Sequence, residues 1–270
     1  VSEVYVIEQI IEDQDEFDVL IMGSSHGYCS FNPKILDTIL VNTNTKNLSI
    51  PNQNFGHIAI LLQQIVEEGK SPNILILETY SITPNMNRPI QISFFNAYSK
   101  TWEPSYLMQI LGYFPSEDWI YPLFPLLYQH ENWKTVGIVN TNIRFWDDRR
   151  IIVEREIKIN PGYQNAGFRP YPQTITAEDY QDAIIHPTSF IPKAENLLAL
   201  ERILSIAEEN DIQVIFVTAP YPKAIHGDFS QLDQVIQQNG LTHYNFNQLF
   251  PEHFIPLHYL DQNHQNAHGA

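Results

Sequence analysis

The order of apolar segments along this chain constrains its fold more than any other feature. Residues 17–22 (FDVLIM) form a short apolar run that stops at Gly23, and residues 46–50 (KNLSI) form a second that stops at Pro51. Both read as buried strands. Between them, residues 33–40 suit a short helix, with Asn32 as N-cap and Pro33 in the first turn. Ile58, Leu61, Leu62 and Ile65 then share one face of a helix that ends at Gly69, and residues 73–77 (NILIL) make a third strand. Strands separated by helices pair in parallel, because each helix carries the chain back to the edge where the previous strand began. The alternation returns late: Leu200, Ile203, Leu204 and Ala207 line a helix leading into a strand at 213–218 (QVIFVT), and Leu232, Val235 and Ile236 line another before a short strand at 243–246. The expected architecture is one α/β domain with an open parallel sheet and helices on both faces.

The sheet is split in sequence. Residues from about 84 to 192 are rich in aromatics and proline, show poor periodicity apart from an alternating stretch at 150–159, and read as an inserted cap over the carboxyl edge of the strands. With 270 residues, 43% of them hydrophobic, the chain can bury a core large enough for one elaborated domain. Its single cysteine, Cys29, cannot form an intramolecular disulfide, so packing must supply the stability. Fifteen basic against 31 acidic residues give a net charge of −16, which repels phosphate backbones and argues against a nucleic-acid partner. A sequence that starts at Val1 suggests that an upstream signal or membrane anchor has been removed.

In an open parallel sheet, ligands bind beyond the carboxyl ends of the strands, so the residues just after each strand matter most. The first strand is followed by Gly23–Ser24–Ser25–His26. Alone, this is a common turn and capping composition. Far along the chain, however, Asp261 and His264 stand three residues apart in YLDQNH. A serine hydroxyl needs a base to take its proton, and a carboxylate can fix the tautomer of the imidazole and stabilise its charged form. Ser25, His264 and Asp261 together meet these needs. His26, beside the nucleophile position, is expected at the rim as a substrate contact, since neighbouring side chains on a turn diverge. His130, Trp133 and Arg169 in the insert suit sugar contacts, or equally an aromatic packing layer. His253, His258, His264 and His268 invite a metal reading, but only His264 and His268 have a ligand-like spacing, so neither a metal nor a cofactor is expected.

The GSSH and DQNH segments resemble the first and last blocks of the SGNH (GDSL-like) hydrolases. The resemblance implies a three-layer flavodoxin-like fold and a Ser-His-Asp triad of Ser25, His264 and Asp261. NLSIPN, residues 47–52, resembles the family's second block, with Asn52 at a glycine position whose backbone N–H serves an oxyanion hole. Asn tolerates a positive φ there better than most residues. The third block departs: where the family has an asparagine, this sequence reads Leu77–Glu78–Thr79–Tyr80. Tyr80, Asn52 or Asn54 could supply the missing donor, and Asn85 lies further along. An acidic end to the third strand is similar to the branch that modifies cell-surface polysaccharides, including alginate O-acetylation and teichoic acid D-alanyl-transfer proteins. That likeness implies an esterase or O-acyltransferase acting on an acylated carbohydrate outside the cytoplasm. A carbohydrate-binding or assembly protein on the same scaffold is the alternative.

Overall fold

A computed structural model describes residues 16–83, 104–113, 116, 119, 167–168, 171–249 and 255–270. Strand β1 (Val19–Met22) leads through α1 (Ser25–Ser30) and α2 (Pro33–Ile39) to β2 (Thr45–Asn47), and α3 (Phe55–Glu67) returns the chain to β3 (Ile74–Glu78). Then come α4 (Pro104–Gly112), α5 (Ala177–Ile185), α6 (Ala194–Glu209), β4 (Gln213–Thr218), α7 (Ser230–Gln238), β5 (Thr242–Asn245) and α8 (Phe246–Leu249). The five strands form one all-parallel sheet in the order β2-β1-β3-β4-β5. This is the expected three-layer α/β architecture. The chain moves outward from β1 to β2 and then crosses back to β3, so the strand order reverses between β1 and β3, and a crevice opens at their carboxyl ends.

Side chains of a strand point alternately to its two faces. Leu20 and Met22 of β1, Leu75 and Leu77 of β3, and Phe216 of β4 enter one buried cluster with Phe55, Ile58 and Leu61 of α3, Ala199, Leu200 and Ile203 of α6, and Leu232 and Ile236 of α7. Helices α3 and α6 pack directly on each other over that face. A right-handed crossover, the rule for parallel strands, places α1 and α2 of the β1–β2 connection on the other. Among the described residues no helix is long and apolar enough to cross a membrane.

Strand β2 is shorter than the apolar run suggested. Asn47 turns the chain: its side-chain amide donates to the carbonyls of Gly27 and Phe31, and its Oδ1 accepts the Ser49 N–H. Leu48 and Ile50 nevertheless follow β1, donating to the carbonyls of Ile21 and Gly23.

The insert needs two corrections. It contains helices α4 and α5, which its poor periodicity concealed. Its described parts also divide between two places. Tyr106 of α4 donates to Glu67, and the Gln109 amide reaches Gln63 Oε1 at 2.9 Å. Since α3 runs antiparallel to the strands, its last turn lies at their amino ends, so residues 104–113 pack away from the carboxyl edge and do not cover it. By contrast, Gly167 presses on the end of β2, where a Cβ would come within 1.8 Å of the Asn47 carbonyl oxygen, and Phe190 meets Tyr80 and Tyr221 beyond β3 and β4. The excursion closes on itself: the Lys193 N–H donates to the Ile82 carbonyl at 3.2 Å, and the Asn196 amide donates to the same oxygen at 3.0 Å.

Candidate active site at the carboxyl edge

The turn after β1 requires Gly23, because a Cβ there would lie 2.4 Å from Glu78 Cβ. Ser24 has extended backbone angles and caps α1, its Oγ accepting the His26 N–H at 3.3 Å. Ser25 is thereby the first helical residue. Of the donors in the first turn, His26 N–H is taken by Ser24 Oγ and Gly27 N–H by the Ser24 carbonyl. The Ser25 N–H belongs to the set that a helix start leaves without an intrahelical acceptor.

Asp261 and His264 lie in a loop closed by the Leu260 N–H donating to the His264 carbonyl. Asp261 Oδ1 accepts the backbone N–H groups of Asn263 at 2.7 Å and His264 at 3.0 Å, and both its carboxylate oxygens lie near His264 Nδ1, at 2.9 and 3.0 Å. Burial pushes this carboxyl up, but the bonds from the His264 ring and from the two N–H groups outweigh it and hold Asp261 below its ordinary range. A carboxylate at Nδ1 places the proton on that nitrogen and leaves Nε2 as an acceptor. His264 Nε2 stands 2.8 Å from Ser25 Oγ. The structure thus brings the three sequence-assigned residues together in one hydrogen-bonded line.

The loop is braced from several sides. Buried Asn266 donates its amide to the carbonyls of Gln173, Leu257 and Tyr259, and Tyr259 stacks on Tyr180 of α5 with ring centroids 5.8 Å apart. The Lys223 N–H, beyond β4, donates to the Gln262 carbonyl.

The remaining sequence-assigned residues fall as follows. Asn52 is exposed and has a φ of 57°, the left-handed conformation that its glycine-like position suggested. Its turn is tied to the nucleophile turn, since Gln53 Oε1 accepts the Gly23 N–H at 3.2 Å. Asn54 serves as the N-cap of α3, accepting the His57 N–H. Tyr80 is partly buried, its ring 4.2 Å from that of His26. His26 departs from the rim position: it is 3% exposed, enclosed by Tyr80, Tyr221 and His264. Adjacent side chains do diverge here, but α1 turns His26 inward with the buried Tyr28 and Cys29 and leaves Ser25 at the opening. Asn85, His130, Trp133 and Arg169 lie outside the described residues.

Sequence reasoning marked Glu78 as a missing asparagine and as a branch likeness, and gave it no place in the site. It is fully buried and accepts from the Ser24 hydroxyl at 2.8 Å, the Ser24 N–H at 3.4 Å and the Tyr80 N–H at 2.8 Å. Burial pushes its carboxyl up to about 7 despite these three donors. Its place at the end of β3, beside the strand-order reversal, was the signal that could have identified it.

No family model matches the sequence, and no curated protein is significantly similar to it.

Proposed function

We propose that the chain is a serine esterase or O-acyltransferase of the SGNH type. The observation that carries the reading is the 2.8 Å approach of His264 Nε2 to Ser25 Oγ, with Asp261 on the opposite ring nitrogen. Ser25 Oγ attacks the acyl carbonyl carbon as His264 Nε2 takes the hydroxyl proton, and Asp261 stabilises the imidazolium that forms. The carbonyl oxygen becomes an oxyanion, for which the helix-start N–H of Ser25 and the backbone N–H of Asn52, the donor the resemblance implies, are the candidates. Collapse of this intermediate breaks the ester C–O bond, and the leaving alkoxide takes the proton from His264. Water or a sugar hydroxyl then gives its proton to His264 and attacks the acyl-serine, which releases Ser25.

An acylated carbohydrate of the cell surface, met outside the cytoplasm, is the substrate class that the acidic end of β3 favours. The test is labelling by a serine-directed fluorophosphonate. The intact protein should label at one serine, and Ser25→Ala should abolish labelling with its thermal unfolding unchanged, because a small residue at that position alters little packing. An unlabelled but folded protein would instead support the carbohydrate-binding reading.

A further inference from the structure

Beside the Asp261–His264–Ser25 line runs a second hydrogen-bonded chain that the proposed reaction does not use. Ser24 Oγ lies 2.8 Å from Glu78 Oε2 and 3.0 Å from His26 Nδ1, and it also accepts the His26 N–H. His26 lies under His264, their rings nearly parallel at 21° with centroids 5.2 Å apart. Its Nε2 is buried and faces the Asn263 backbone carbonyl, an acceptor for a proton carried on that nitrogen. Two carboxylates, two serines and two imidazoles therefore meet side by side at the end of β1.

We propose that Glu78 is a positioning residue that acts through the Ser24 hydroxyl to set which ring nitrogen of His26 carries the proton beneath His264. Ser24 has a single hydroxyl hydrogen, and this forces the coupling. When Glu78 is ionised, that hydrogen points to Oε2, so the Ser24 oxygen can only accept from His26, and the proton sits on Nδ1. When Glu78 is protonated, its own O–H donates to Ser24 Oγ, the Ser24 hydrogen turns to His26 Nδ1, and the imidazole proton sits on Nε2. The site takes up one proton in total, held by Glu78, and His26 stays neutral in both states.

The groups facing His26 agree with that neutrality. Burial first, and His264 second, hold it well below its ordinary range, against the opposing pull of Asp261 and of the Asn263 backbone carbonyl; the other facing side chains are Tyr80 and Tyr221. A neutral His26 spares the His264 imidazolium a like charge across the stack, and an ionised Glu78 favours that imidazolium. Since Glu78 titrates near 7, the change falls within the working range of an enzyme.

The effect on turnover rests on the triad reading, whereas the tautomer coupling does not. The experiment is imidazole NMR on protein labelled with 15N-histidine, from pH 5.5 to 9, for the wild type, Glu78→Gln and Ser24→Ala. In the wild type, His26 should pass from the Nε2–H to the Nδ1–H form as the pH rises, without an imidazolium signature. In Glu78→Gln the carboxamide oxygen keeps the Tyr80 N–H and the NH2 group faces Ser24, which mimics the protonated acid. His26 should then remain Nε2–H throughout, and Ser24→Ala should leave it unresponsive to pH. At pH 8.5, Glu78→Gln should also lower kcat for an acetyl ester about tenfold with KM unmoved, because the imidazolium formed during the reaction loses the nearby carboxylate charge. A wild-type His26 that keeps one tautomer across the range, or a Glu78→Gln protein that titrates like the wild type, overturns the proposal. The wild-type titration decides it even where a variant fails to fold. Failure of fluorophosphonate to label the wild type counts against the triad alone.

Discussion

Glu78 holds a carboxyl group where water cannot solvate its charge, and the consequence is a stability that depends on pH. Its ionisation lies near 7 in the folded protein, above the ordinary 4.5, so the native state binds this proton more tightly than the unfolded chain does. The stabilisation from this group is complete below 4.5 and is lost as the pH rises through 7, by about 3 kcal/mol for a shift of that size. Glu78→Gln cannot ionise, so its melting temperature relative to the wild type should rise between pH 5.5 and pH 8.5. A constant difference across that range would contradict the buried-acid account. The burial and hydrogen bonds of Glu78 were not visible in the sequence, where it appeared as a departure from a motif and a likeness to one branch. The meeting of Ser25, Asp261 and His264 was legible because it follows from residue type, spacing and position after the strands. The burial of His26 was not, because it depends on which way α1 turns against β3.

Elements differ in how clearly they announce themselves. Strands β1, β3 and β4 and helix α3 were readable because each buries a face of branched aliphatic residues, with Ile58, Leu61, Leu62 and Ile65 of α3 all buried. Helix α4 was hidden because its apolar residues encircle it, with Tyr106 and Ile110 buried while Met108 is 65% exposed. Helix α5 was hidden for the opposite reason: it buries only Tyr180 and Ala183. Yet α5 matters to the site, since Tyr180 stacks on Tyr259 beneath the Asp261–His264 loop. Asn266 holds the same loop through three carbonyls, and its removal would take this donor from the partly buried Gln173 and Leu257 carbonyls while the Tyr259 carbonyl keeps the Ile175 N–H. Asn266→Ala should therefore cost about 1–3 kcal/mol of stability and lower kcat more than it raises KM, because the loop sets the reach of His264 to Ser25. Unfolding by denaturant and steady-state kinetics on one preparation would check both, and full activity in a destabilised variant would show that the loop does not depend on this brace.

At the scale of the whole molecule, the strand order joins parts of the chain that are far apart in sequence. Ser25 and His264 are 239 positions apart, and they meet because β1 lies beside β3 at the centre of the sheet while the C-terminal segment returns over the carboxyl ends of β3 and β4. The parallel sheet could be read from the alternation of apolar runs and helical periods. The path of the insert could not, since α4 docks on α3 near the amino ends of the strands while residues 171–192 run beside the site. Periodicity reports which face is buried and does not report against what. The net charge of −16 adds that an anionic polymer would approach only by local contacts, so binding of an anionic polysaccharide should tighten with salt. The central claim is that Asp261 works by fixing the His264 tautomer for Ser25. Its most direct test is kcat of Asp261→Asn with a generic acetyl ester, alongside its melting temperature. The account predicts a fall in kcat of about 10⁴-fold with little loss of stability, since asparagine keeps the shape but favours the wrong tautomer. Turnover equal to wild type in a folded Asp261→Asn protein would contradict it.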